Sequence, residues 1–340
     1  MNLPAFGHSL LHSFAIALLA LGVVLLWTGR WGVRVRQAVP VVAFVLLLGV
    51  SAGLPGLLPR WEISAPVAVA GWSAAMEGRA APWLAWIFVA GAVLHFARIV
   101  ATSVAIRRIV RSARPATGRA WKTLLVECRR ALALRGPVRI LFAGPDFIPS
   151  ATGLVRRTVL LPDEALHWTR EQRRLVLLHE LGHFRRGDLW TQMLGEIACA
   201  LHWFNPFAWM LHRRLALERE FACDALVVSR GAPPADYATL LWKMGVAARG
   251  PRLAAAAYLA MAAPGRGKLE QRVRRILAPA RETALWLRVA DSVFCGLSAL
   301  LLVACVSLKP VVVHSFFGIS PWTAQEIEAR LAADPFPGGQ

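Results

Sequence analysis

Residues 169–188 read TREQRRLVLLHELGHFRRGD. Thr169 is followed three positions later by Gln172, just ahead of an apolar run, which is a capping-box signature and predicts a helix starting near Arg170. On that helix HELGH sets His179 and His183 four residues apart. Both imidazoles then share one face, a turn apart, at a separation that grips a single cation. Two nitrogen ligands suit zinc. Glu180 falls on an adjacent face, from which it reaches a water on the metal without ligating the metal, so it is the expected catalytic base.

A catalytic zinc takes three protein ligands and keeps one position open. Downstream, LHRRLALEREFACDALVVS predicts a helix from about Arg213 to Ser229 that offers Glu218, Glu220 and Asp224. Glu220 and Asp224 share a face, whereas Glu218 points about 200 degrees away from Glu220. Glu220 is therefore the expected third ligand. Asp224 is expected to hold a ligand histidine by its other ring nitrogen. The competing reading of Glu220 is a salt bridge to Arg213 or Arg214.

The motif sits in an apolar and basic chain, 56% hydrophobic over 340 residues with a formal charge of +19. Four stretches are long and apolar enough to span hydrocarbon, approximately 10–27, 39–58, 82–106 and 289–308. The third contains His95 and Arg98, and Trp27, Trp31, Trp61, Trp83, Trp86 and Trp286 gather near the ends, as rings at headgroup depth do. No Lys or Arg precedes the first stretch, while Arg30, Arg34 and Arg36 follow it, which predicts a retained anchor with an external amino terminus. The loop 59–81 balances Arg60 and Arg79 against Glu62 and Glu77, whereas Arg107, Arg108, Arg111 and Arg114 crowd the end of the third stretch. Residues 107–288 hold 31 of the 39 Lys and Arg and 14 of the 20 Asp and Glu, a net of +17. The expected organisation is three spans in 1–106, a cytoplasmic domain at 107–288, a fourth span at 289–308 and a short external tail at 309–340. The basic residues are scattered and no recognition motif accompanies them, which argues against direct nucleic-acid binding.

Within the middle domain, 138–142 and 157–161 read as short strands of a small sheet, bounded by Gly and Pro. An extended substrate is expected to pair with the strand at 157–161. Residues 189–211 are apolar enough to pass for a fifth span, but a single crossing would part the two halves of the zinc site. The Asn205-Pro206 break predicts two helical pieces instead, buried in the domain or dipping into the membrane face. His202 and His95 are read as hydrogen-bonded interfacial histidines rather than cleft groups. Cys128, Cys199, Cys223, Cys295 and Cys305 lack metal-binding spacing and are read as small buried residues. The fold class is thus a mainly α membrane protein of about four transmembrane helices with a cytoplasmic α+β protease domain.

The strings RTVLLP, REQRRLVLLHELGHFRRGD, LHWFNPFAW and EREFACDALV, in this order and after three spans, resemble the BlaR/MecR type of integral-membrane metallopeptidase. The resemblance runs from about residue 80 to about residue 310 and includes ADYATLLWKM and KLEQRVRRIL. It implies a gluzincin-like Zn2+ site of His179, His183 and Glu220, with Glu180 as base. It also implies a multi-pass protein of the bacterial inner membrane whose substrate is a transcriptional repressor or the protease itself. Membrane lipids and a second copy of the chain, as a homodimer, complete the expected partners. Antibiotic-sensing members carry an external penicillin-binding domain with S-x-x-K; this sequence has no S-x-x-K, and direct acylation by a beta-lactam is not expected. A housekeeping quality-control protease and a non-catalytic signalling scaffold are the rival readings.

Overall fold

Why the motif helix forms is visible at both of its ends. In the computed structural model, which describes residues 13–23, 33–52, 61–65, 81–145, 147–247, 266–278 and 308–312, the Thr169 side chain accepts from the Gln172 N–H and the Gln172 side chain accepts from the Thr169 N–H. Both orphan donors of the first turn are thereby satisfied. The helices in chain order are α1 (Ser13–Val23), α2 (Val33–Ser51), α3 (Ala81–Ser112), α4 (Arg119–Ala131), α5 (Arg170–Arg186), α6 (Asp188–Leu201), α7 (Pro206–Ser229), α8 (Pro234–Ala247) and α9 (Arg266–Leu277).

The strands β2 (Arg114–Pro115), β3 (Arg139–Phe142), β4 (Ser150–Thr152) and β5 (Thr158–Leu161) form a mixed sheet in the order β2-β3-β5-β4. β3 and β5 run parallel, and the two outer pairs are antiparallel. The two strands expected from sequence are therefore present. The expected docking strand is corrected: β5 is paired on both sides and fully buried, so it has no free edge, and the exposed edge nearest the motif helix belongs to β4. Apart from this sheet, β1 (Trp61–Ala65) pairs in parallel with β6 (Leu308–Val312), register Trp61 to Leu308.

Two apolar clusters hold these elements. One joins the sheet (Ile140, Val159, Leu161) to α4 (Trp121, Leu124), α5 (Leu177, Leu181) and α7 (Val227). The other joins Ile16 of α1 and Phe44 and Leu47 of α2 to Cys199 of α6 and Leu211 and Leu215 of α7. The segment 189–211 is two helical pieces, as expected. Asn205 caps α7 by accepting from the Phe207 and Ala208 N–H groups, and Pro206 occupies the first turn, where its missing N–H costs nothing.

Among the described residues one helix is long and apolar enough to cross a membrane, Trp86–Ser112 within α3; Ser13–Val23 and Gln37–Ser51 are apolar but shorter. The expected fourth span lies outside the described residues except for Leu308, which opens β6. α3 exposes Trp86, Val93, Leu94 and Val100, and docks on the α6–α7 turn, where the Trp203 ring covers Gly91 and its Nε1 donates to the Phe88 carbonyl.

Candidate metal centre

The motif helix and α7 cross close together because Gly182, inside HELGH, has no side chain. A Cβ there would meet Leu226 Cδ2 at 3.2 Å and Cys223 Sγ at 3.3 Å. α7 thereby carries Glu220 up to the two imidazoles. His179 Nε2 lies 3.5 Å from one Glu220 oxygen and His183 Nε2 lies 3.8 Å from the other. The rings sit nearly perpendicular, at 85°, with centroids 5.1 Å apart. Ligand-capable atoms of the three residues all fall within 4.8 Å of one another. The salt bridge envisaged for Glu220 with Arg213 or Arg214 is not what the helix makes; Arg214 pairs with Glu218 instead.

Each imidazole is held from behind by its other nitrogen. The buried Tyr237 hydroxyl, on α8, lies 2.9 Å from His179 Nδ1 and donates at 2.7 Å to Asp224, whose same oxygen is 3.3 Å from His179 Nδ1. With the hydroxyl donating its hydrogen bond to the Asp224 carboxylate, the ring N–H donates to the tyrosine oxygen, and Nε2 faces Glu220. On the other side, Gly187 adopts the left-handed conformation (φ 73°) that ends α5 and starts α6 at once. That turn brings Asp188 to 2.9 Å from His183 Nδ1, where Arg186 and Cys223 also meet its carboxylate.

A buried guanidinium closes the assembly. Arg272, from α9, donates through Nε and Nη2 to the two oxygens of Asp224 at 2.8 Å each and pairs through Nη1 with Glu220 at 2.9 Å. Burial would raise the Glu220 and Asp224 carboxyls; the Arg272 charge with the two imidazoles holds Glu220 well below its ordinary range, and Arg272 with His179 brings Asp224 to about 2. Burial also opposes charge on His179, but hydrogen bonds to Asp224 and Glu220 outweigh it and raise the imidazole to about 10. Burial, reinforced by the Asp224 charge, pushes the Tyr237 phenol well up, so it stays a neutral donor. The donor set of two nitrogens and one carboxylate fits a zinc ion.

Sequence reasoning placed His179, His183, Glu220 and Asp224, and these four come together. It assigned no role to Asp188, Tyr237 or Arg272. All three lie in strings that carried the resemblance, RRGD, ADYATLLWKM and KLEQRVRRIL, but nothing in local spacing ties residues 179, 237 and 272 to one another. Glu180 is buried and lines a cleft of about 1600 Å³ together with His179, His183 and Glu220. His202 does not line it; its ring bonds Ser13, Ser51 and the Leu47 carbonyl. His95 packs on Trp203 and Trp209.

A helix bearing HELGH, crossed by a second helix bearing a carboxylate, defines a metallopeptidase. Residues 65–276 match the family model described as BlaR1 peptidase M56, and the chain belongs to that family, one of metallopeptidases. Over 80 residues it is 31% identical to "Regulatory protein BlaR1" of Bacillus licheniformis, an alignment that takes in 24% of this chain and 13% of that protein.

Proposed function

We propose that the protein is a zinc metalloendopeptidase of a regulatory pathway, anchored by several spans in a bacterial inner membrane, which hydrolyses a peptide bond in a cytoplasmic repressor or in itself. The observation that carries this reading is the convergence of His179, His183 and Glu220 within 4.8 Å on the wall of a cleft that Glu180 shares. A zinc ion held by those three residues would supply Lewis acidity, polarising the scissile carbonyl and making water a stronger nucleophile. Glu180 takes the proton of the attacking water and returns it to the leaving amine. Asp188, and Asp224 with Tyr237, fix the rings so that both Nε2 atoms stay directed inward. An extended substrate adds to the free edge of β4, which lines the same cleft.

The regulatory role draws support from the name of the relative, and the membrane topology from the arginine distribution. On this reading 1–106 holds three spans, 107–288 is the cytoplasmic protease domain, 289–308 is the fourth span and 309–340 is external. The β1–β6 ladder agrees with it, because it requires the loop after the second span and the segment after the fourth to lie on one side.

The test uses full-length protein in detergent with a cleavable peptide library and a metal assay. Glu180→Gln is expected to bind zinc like the wild type and to lose cleavage by at least about a hundredfold. Cleavage retained by the metal-loaded variant removes the base assignment. Failure of the wild type to take up zinc removes the ligand set.

A further inference from the structure

The cleft above the metal centre has a charge pattern that hydrolysis itself does not use. Beside Arg98, Arg139, Arg219 and Arg272, which have partners of their own, six further cations line it: Arg107 and Arg111 at the end of α3, Arg156 in the turn between β4 and β5, Arg213 on α7, Lys243 on α8 and Lys268 on α9. Of these six, all are exposed except Lys268, which is half-buried. None has a carboxylate partner among the described residues. Five carboxylates line the same cleft: Glu220 is engaged by Arg272, Asp188 by His183 and Arg186, and Glu196 accepts from Gln192, while Glu180 is the base and Glu164 completes the set.

Exposed cations on a convex surface are ordinarily just solvated. Here they come from five different parts of the chain and surround one concavity, an arrangement that focuses the field on whatever enters. A substrate lying along β4 enters the cleft that these cations line, with Arg156 in the turn that follows the strand. Anionic lipid headgroups are the other candidate for such charge. Arg107 and Arg111 continue a helix apolar enough to span, and Arg213 stands between α7 residues that pack on α1 and α2; Arg156, Lys243 and Lys268, however, belong to elements that build the protease domain.

We propose that this cleft selects protein segments bearing Asp and Glu near the scissile bond. The proposal rests on the hydrolytic reading above and names the substrate class for it. Selection acts through long-range attraction and rim ion pairs, so it appears in binding and in KM more than in kcat, and it weakens with salt.

The experiment uses the full-length zinc-loaded Glu180→Gln protein in phosphatidylcholine nanodiscs and a fluorescent decapeptide carrying four Asp and Glu, compared with its Asn and Gln counterpart. The acidic peptide is expected to bind about tenfold more tightly at low salt and to lose most of that preference at high salt. Combined Arg156→Gln, Lys243→Gln and Lys268→Gln substitution is expected to abolish the preference with zinc content unchanged. The single reversal Lys243→Glu, on an exposed side chain, is expected to weaken acidic-peptide binding alone. Equal affinity for the two peptides overturns the proposal, and wild-type cleavage of both peptides at equal KM then leaves hydrolysis standing. A clear acidic preference without any wild-type cleavage keeps the selection and sinks the hydrolytic reading. A preference that vanishes in phosphatidylglycerol nanodiscs assigns the cations to lipid and overturns the proposal as well.

Discussion

Arg272 holds together more of the metal centre than any ligand does, since one guanidinium engages both oxygens of Asp224 and one of Glu220. Asp224 and Arg272 are buried and Glu220 is half-buried, so the Arg272–Asp224 pair above all depends on its own charges rather than on solvent. Removing the cation leaves two carboxylates facing each other. Arg272→Met is therefore expected to cost about 3–5 kcal/mol in the metal-free protein, seen as a lower thermal midpoint in detergent. Arg272→Lys is expected to recover only part, because an ammonium cannot bridge both carboxylates as the planar fork does. Zinc-loaded samples should suffer less, since the ion supplies positive charge to Glu220; an identical drop with and without metal would refute the arrangement. The same residue marks where sequence reading stops. His179 and His183 are legible because four residues on a helix fix a distance, and Glu220 and Asp224 because a second helix repeats that spacing. Arg272 stands on α9, beyond α8, and only the tertiary fold brings it to Asp224.

At the scale of elements, the decisive contact is the crossing of α5 and α7 at Gly182. The contacts of 3.2 and 3.3 Å that a Cβ would make there are tight but borne by side-chain atoms, so Gly182→Ala is expected to be tolerated with a small loss. Gly182→Val brings two further carbons against Leu226 and Cys223. It is expected to destabilise by about 1–3 kcal/mol and, by pushing α7 outward, to weaken zinc binding in a chelator competition. Normal zinc affinity in a destabilised Val variant would mean that Glu220 does not depend on this crossing. Sequence reading foresaw the motif helix and its Thr169–Gln172 cap, a local signal that needs no tertiary context. It started the second helix near Arg213 and read Asn205-Pro206 only as a break, whereas Asn205 caps one continuous helix from Pro206 to Ser229. It misassigned the docking strand because strand order is a non-local property. A short apolar run such as TVLL looks the same in a central strand and an edge strand, and only pairing with both β3 and β4 excludes the former from receiving a substrate.

For the whole molecule the question is on which side of the membrane the cleft opens. α1 rises only about 16 Å at 1.5 Å per residue, about half a hydrocarbon core, so its described length does not by itself make a span. The orientation rests on charge instead. Arg107, Arg108 and Arg111 close, and Arg114 follows, the helix that among the described residues is long enough to cross, and the loop before it carries as many acids as bases. Nested fusions test this directly, with a phosphatase active only outside and a fluorescent protein that matures only inside. Junctions after residues 36, 115 and 288 are expected to fluoresce, and junctions after 75 and 340 to give phosphatase activity. An active phosphatase after both 115 and 288 would place the metal centre outside and remove a cytoplasmic repressor from consideration. Phosphatase activity after 75 but not after 340 would leave the fourth span uncrossed and contradict the pairing of Trp61–Ala65 with Leu308–Val312, which demands that both strands share one compartment.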